Sequence, residues 1–287
     1  MSKNNKNGGG QLNLLVPAAH AELVCEWVRD ALGKEPIEIS QPDADESQIE
    51  IYFDSLLEAE IAKKALPGDL FIRAAEAKAY QAQDWTTFWQ HHFKITDIGQ
   101  NLRIVPEWET APDDDRVNII INPGLSFGTG GHFTTRFCLE ALESAVTQLQ
   151  PQSMIDAGTG SGILSIAAIK LGIPDVIAFD YDPVCVDQCH INAGRNGVEG
   201  KIHFFQADVL EPGWNAKPAD IVCANILTSV LLEAAPRLKR ATNKRLLLSG
   251  IREVEADAVA GTFMELGCRE VARDGDGRWC GIVIDVD

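Results

Sequence analysis

The chain has 287 residues, 45% of them hydrophobic and 23% charged, with a formal net charge of −17. That length allows a sizeable core and two domains, the composition is that of a soluble globular protein, and no apolar run reaches the roughly 20 residues of a membrane span. Acidity without a basic stripe argues against a surface that grips nucleic-acid phosphates; it suits a basic protein partner, or simply keeps the chain soluble.

Seven cysteines without framework spacing predict free thiols in a reducing cytoplasm. Residues 1–10 are rich in Lys, Asn and Gly with no apolar core, so a disordered tail is expected rather than a secretory signal. Residues 11–16 alternate as a strand, and 18–32 carry helical apolar spacing through Leu23, Trp27 and Leu32. Residues 36–39 and 48–53 read as strands, 56–66 as a helix and 70–73 as a brief strand. This β-α-β-β-α-β order predicts a small ferredoxin-like α+β domain over residues 11–75. It holds no catalytic cluster, which assigns it to substrate recognition. Residues 76–110 follow as a linker, with Trp85 and Trp89 one helical turn apart as a packed hinge and a strand at 101–105. Asp113, Asp114 and Asp115 form an exposed acidic turn with no second carboxylate cluster nearby in sequence, so no metal site is expected.

The remaining stretch, residues 111–287, opens with an apolar strand at 117–121 and a glycine-rich loop over 122–135. Thr134 and Thr135 then start a helix through Phe137, Leu139 and Leu142. His132 reads equally as a cap or a packing residue, and a threonine there equally as a cap. A second apolar strand, 154–157, runs into Gly158-Thr159-Gly160-Ser161-Gly162 and a helix at 163–169. Glycine suits that turn because a side chain would hold the backbone away from a ligand. A third strand, 176–179, ends at Asp180, placed to bind a ribose diol. A dinucleotide fingerprint needs glycine where Ile163 stands. The remaining G-x-G-x-G, preceded by Asp156, fits the aminoacyl part of S-adenosylmethionine, which has an amine and no pyrophosphate.

Pro183 opens a helix that closes at Asn196-Gly197. Cys185, Cys189 and His190 lie along it, but without a second ligand pair they predict no zinc site. Residues 201–205 form a strand before Ala207-Asp208, and 219–224 form a central strand delivering Asn225 to the sheet edge. There Asn225 either orients an incoming amine or caps the next helix. Helices at 229–240 and 253–266 flank a strand at 245–248, and 268–272 with 278–286 form a closing antiparallel hairpin. Alternating βα units specify a doubly wound α/β sheet.

The loop 122–135, the turn 154–162, Phe179-Asp180-Tyr181-Asp182-Pro183 and Ala224-Asn225-Ile226-Leu227 together resemble the ribosomal protein L-eleven methyltransferase family (PrmA-like) over roughly residues 80–287. The resemblance implies a class I, S-adenosylmethionine-dependent enzyme with a mainly parallel, seven-stranded Rossmann-like sheet preceded by a recognition domain. It implies that Thr135, Gly158, Asp180 and Asn225 bind the cofactor, and Thr159, Gly160 and Gly162 complete the turn. Asp208 either faces the adenine or is a loop carboxylate. The expected activity is N-methylation of lysine side chains, and of an N-terminal amine, on a basic protein of the large ribosomal subunit. Asn225 is the expected catalytic residue, in a cytoplasmic monomer without metal, membrane or nucleic-acid contacts. The alternatives are another protein or small-molecule substrate, or a non-catalytic S-adenosylmethionine-binding module. Gly131 and Phe133 depart from the family's usual threonine and proline.

Overall fold

Alternation of Leu12, Leu14 and Val16 gives the first strand, β1 (Gly9–Pro17), a face that is completely buried. The computed structural model describes residues 9–34, 36–40, 45–68, 70–80, 93–122, 131–214 and 217–286, which fall into the units Met1–His92 and Phe93–Asp287. In the first unit β1 leads through a 3-10 turn into α1 (Ala21–Trp27), then β2 (Ile37–Ser40), β3 (Glu46–Phe53), α2 (Leu56–Ala65) and β4 (Ala74–Tyr80). The sheet order is β2-β3-β1-β4 with antiparallel neighbours throughout, the ferredoxin-like arrangement. Its core joins Ile49, Ile51 and Phe53 to Val24, Val28, Ala59 and Ala62. Ser55 caps α2 by accepting the Glu58 N–H at 3.2 Å.

Two expectations are corrected here. The fourth strand is Ala74–Tyr80, not 70–73, and residues 76–80 therefore belong to the first sheet rather than to a linker. Local propensity hides this strand, because alanine, Glu76 and Lys78 are poor strand formers. Pairing with β1 overrides it, and the exposed charges suit an edge. The expected linker also contains β5 (Thr96–Ile98) and β6 (Leu102–Pro106), which join β7 (Val117–Ile121) in a three-stranded sheet. Trp85 and Trp89 lie outside the described residues. Buried Arg103 is held by Asp97 at 2.6 Å and Asp114 at 2.9 Å, so the acidic turn anchors β6. These contacts with Arg103, and for Asp114 first the Arg116 N–H, hold both carboxyls below their usual range.

The rest of the second unit runs α3 (Phe133–Leu149), β8 (Ser153–Ala157), α4 (Ile163–Lys170), β9 (Asp175–Asp180), α5 (Pro183–Arg195), β10 (Ile202–Gln206), β11 (Ala219–Asn225), α6 (Thr228–Arg240), β12 (Thr242–Arg252), α7 (Ala256–Glu265), β13 (Cys268–Gly275) and β14 (Trp279–Val286). The seven-stranded order is β10-β9-β8-β11-β12-β14-β13. The first five strands are mutually parallel and β14 runs against both its neighbours. Both faces are covered, which is why the strands read as unbroken apolar runs. Met154, Cys223 and Leu247 face a core with α3, α4 and α5, whereas Ile155, Val222, Ala224, Leu246 and Leu248 face α6 and α7. The strand order reverses between β9 and β11 about β8, and open parallel sheets bind ligands at the C-terminal edge of such a switch point.

Candidate functional site

Four strand ends meet at that edge. The turn after β8 is stitched to β9: the Gly158 and Thr159 N–H groups donate to the Phe179 carbonyl at 2.9 and 3.0 Å. The Gly160 N–H donates to Asp180 Oδ2 at 2.9 Å, and the Asp182 N–H to Asp180 Oδ1 at 3.1 Å. Asp180, 8% exposed, is thereby aimed by one backbone donor on each oxygen. Gly158, Gly160 and Gly162 have φ of 76°, 56° and 80°. A Cβ at Gly158 would stand 2.3 Å from Ile226 Cγ2, so glycine is what lets this turn lie against the end of β11.

Beneath the turn, Asp156 is fully buried, and its Oδ2 accepts from the Thr159 hydroxyl at 2.7 Å and the Ser165 hydroxyl at 2.6 Å. Its Oδ1 is buried with no hydrogen-bond partner among the described residues. Burial raises its pKa to about 6 against the pull of the two hydroxyls, and the Asp180 charge adds to the rise. Thr159 thus turns its side chain inward, in support of Asp156. The Cys189 thiol donates to the Gly160 carbonyl at 3.3 Å, and burial pushes its pKa far up. His190 packs edgewise on Phe204.

Across β8, Asn225 donates from Nδ2 to the hydroxyl of fully buried Thr135 at 3.5 Å. Its Oδ1 is also buried without a partner among the described residues. His132 caps α3: its Nδ1 receives the Thr134 N–H at 3.4 Å and lies 2.8 Å from the Thr134 hydroxyl, and its ring meets Trp279 edgewise. Phe133 is buried against Phe137, with the Arg136 guanidinium over its ring. A Cβ at Gly131 would meet nothing within 4 Å. Asp208 is exposed just beyond β10, and its Oδ1 holds the Leu210 N–H at 2.8 Å. Positions 123–130 of the glycine-rich loop lie outside the described residues.

Some of the supports have no counterpart among the sequence expectations. Buried Asn192 on α5 accepts the Asn122 N–H at 3.1 Å and donates to the Ser161 carbonyl at 2.9 Å, joining the end of β7 to the glycine turn. One turn on, Asn196 brackets Ile120, accepting its N–H and donating to its carbonyl. Ser165 was the visible signal, the one hydroxyl in the apolar run 163–169. Among the described residues, no group of three or more His, Cys, Asp and Glu side chains is placed to hold a metal.

A family model described as ribosomal protein L11 methyltransferase (PrmA) matches residues 23–286. A ribosomal protein L11 methyltransferase of Symbiobacterium thermophilum is 41% identical over 210 residues, covering 71% of this chain and 66% of that protein. One from Trichlorobacter lovleyi is 37% identical over 265 residues, covering 84% of this chain and 86% of the relative. The crystal structure of a ribosomal protein L11 methylase from Lactobacillus delbrueckii subsp. bulgaricus superposes with a TM-score of 0.61 at 32% identity, covering 67% of this chain and 98% of that one.

Proposed function

The chain belongs to the ribosomal protein L11 methyltransferase family, and from that premise we propose that it methylates lysine ε-amines, and an N-terminal α-amine, of ribosomal protein L11. S-adenosylmethionine is the methyl donor and supplies, when bound, a methyl made electrophilic by its positively charged sulfur. The task left to the protein is to hold two reactants in line, a matter of proximity and orientation. The observation that carries the reading is the unpartnered, buried Oδ1 of Asn225 at the switch-point edge. A buried acceptor without a donor is costly, and a ligand N–H removes the cost. An ammonium has no lone pair and free lysine ionises near pH ~10.4, so the acceptor has to react as the neutral amine. Asn225 Oδ1 would accept one N–H of that amine and leave its lone pair free for the methyl. Thr135 fixes which end of the Asn225 amide is presented.

The cofactor fits the same residues. Each Asp180 oxygen already holds one N–H and keeps acceptor capacity for a ribose hydroxyl. Asp156 Oδ1 would receive the ammonium of the methionyl part, with Thr159 as its support. Gly158, Gly160 and Gly162 keep the turn low beneath the ligand, and Asp208 would meet the exocyclic amine of the base. The Gly158, Thr159 and Gly160 N–H groups are all engaged within the chain. Those donors are therefore not offered to a pyrophosphate, which speaks against a dinucleotide.

We assign recognition of the protein substrate to the first unit. The charge of −17 favours a basic protein over nucleic acid. We propose a cytoplasmic monomer; among the described residues no helix is long and apolar enough to cross a membrane. The test is incubation of the purified chain with labelled S-adenosylmethionine and ribosomal protein L11, read by mass spectrometry. Methyl increments on lysines are expected. Tight cofactor binding with no transfer to this protein would overturn the substrate assignment.

A further inference from the structure

Among the described residues of the second unit, six large apolar side chains are exposed, and four follow strand ends at the site edge: Tyr181 and Val184 after β9, Leu227 (68% exposed) after β11 and Val254 (89%) after β12. The last two belong to one fastened lip. Gly250 has a φ of 79° and its Cβ position lies 2.3 Å from the Ile226 carbonyl oxygen, while the Ile226 N–H donates to the Ser249 carbonyl at 3.2 Å. Glu255 accepts from Arg252 at 2.5 Å and is also hydrogen-bonded to the Thr228 side chain. Leu227 and Val254 are the chain neighbours of that Thr228–Glu255 contact. The Glu253 N–H donates to the Arg278 carbonyl at 2.9 Å, which ties the turn to the start of β14.

Strand order sets this lip on the far side of β8 from Asp180 and directly after Asn225, the side on which an acceptor and not the cofactor would enter. Aliphatic side chains held in water on one fixed frame gain hydrophobic stabilisation only from a partner. A second copy of this chain is a poor partner, since each carries −17. We propose that Leu227 and Val254, with Glu253, an exposed residue whose carboxylate lies against Gly275, form the docking lip for the polypeptide flanking the acceptor amine. An aliphatic side chain of the substrate packs on the Leu227–Val254 pair, and a basic residue sits beside Glu253. This inference rests on the protein-methyltransferase reading and adds the substrate chemistry that the site selects.

The test uses the full chain, ribosomal protein L11 as acceptor, and the double variant Leu227→Ser/Val254→Ser. The KM for the protein acceptor should rise about tenfold, with kcat at saturation and calorimetric affinity for S-adenosylmethionine within about twofold of the parent. Glu253→Gln should raise KM less and flatten its dependence on salt. No turnover by the parent chain overturns the methyltransferase reading and this inference with it. Parent turnover with an unchanged KM in the double variant overturns the inference alone, as does a fall in kcat at constant KM. Sedimentation at assay concentration supplies a last check: parent dimers that the double substitution dissolves would assign the lip to self-association and overturn the proposal.

Discussion

On the β9 side of the central strand, the turn is closed by bonds within the chain. Phe179 takes two N–H groups, Asp180 takes one on each oxygen, and Thr159 and Ser165 hold Asp156 Oδ2. On the β11 side, Asn225 has one long contact to Thr135 and a buried oxygen with no partner. On the proposed roles, the cofactor side is thus the more fully bonded before a ligand arrives, with Asp156 Oδ1 its open acceptor, whereas the acceptor side rests on the single Thr135 contact. Damage to the first should therefore appear in folding and cofactor affinity, and damage to the second in turnover.

The largest effect is expected at Asp156. A folded pKa raised from 3.8 to about 6 means that the folded chain holds the proton more tightly than the unfolded chain does. Stability therefore falls as pH climbs from about 4 to about 6 and is level above, by roughly 3 kcal/mol in all. Asp156→Asn keeps an acceptor for Thr159 and Ser165 without the charge. Its melting temperature should exceed the parent's above pH 6 and converge with it near pH 4, while its affinity for S-adenosylmethionine drops. A variant with the parent's pH–melting profile would show that burial of Asp156 carries no such cost.

Asp180→Ala should come next, weakening cofactor binding by about 2–3 kcal/mol through lost charge-assisted bonds to the ribose. Asp180→Asn keeps one acceptor and should lose less. Unchanged calorimetric affinity in the alanine variant would remove Asp180 from the cofactor site. Asn225→Ala should cut turnover at least about tenfold, or about 1.4 kcal/mol of barrier, with little change in melting temperature. A destabilised variant with normal turnover would instead make Asn225 a structural residue. The smallest effect is expected at Gly131→Thr, because no described residue other than its chain neighbours comes within 4 Å of a Cβ placed there. Stability should move by less than about 0.5 kcal/mol; a drop of several degrees in melting temperature would mean that the start of α3 requires glycine.

The glycine turn, Asp180 and the delivery of Asn225 by β11 were legible in the sequence because each depends on short spacing and an apolar run. The doubly wound sheet and the β-α-β-β-α-β order were legible for the same reason. Strand β4 was not, since its alanines and charges become a strand only through pairing with β1. Asn192 and Asn196 were hidden differently. They look like ordinary polar helix residues, and their partners Asn122 and Ile120 lie 70 and 76 positions away. Asp156 was visible as the acid before the glycines, but its inward partner Ser165 becomes meaningful only once α4 folds back over β8. Strand β12 runs beyond the expected 245–248 to Arg252 because positive-φ Gly250 lets the chain pass Ile226 and pair on with β14.

With the methionyl ammonium placed beside half-satisfied Asp156, as proposed, cofactor capture would become a proton-exchange reaction. Near pH 6 the buried carboxyl is partly protonated, and an ammonium placed beside it favours the ionised form. Binding then expels protons into the solvent. The calorimetric heat measured near pH 6 should depend on the ionisation enthalpy of the buffer, differing between phosphate and an amine buffer by an amount proportional to the protons released. Near pH 7, where the carboxyl is largely ionised and the cofactor's α-amine is still largely protonated, the same pair of titrations should come closer together.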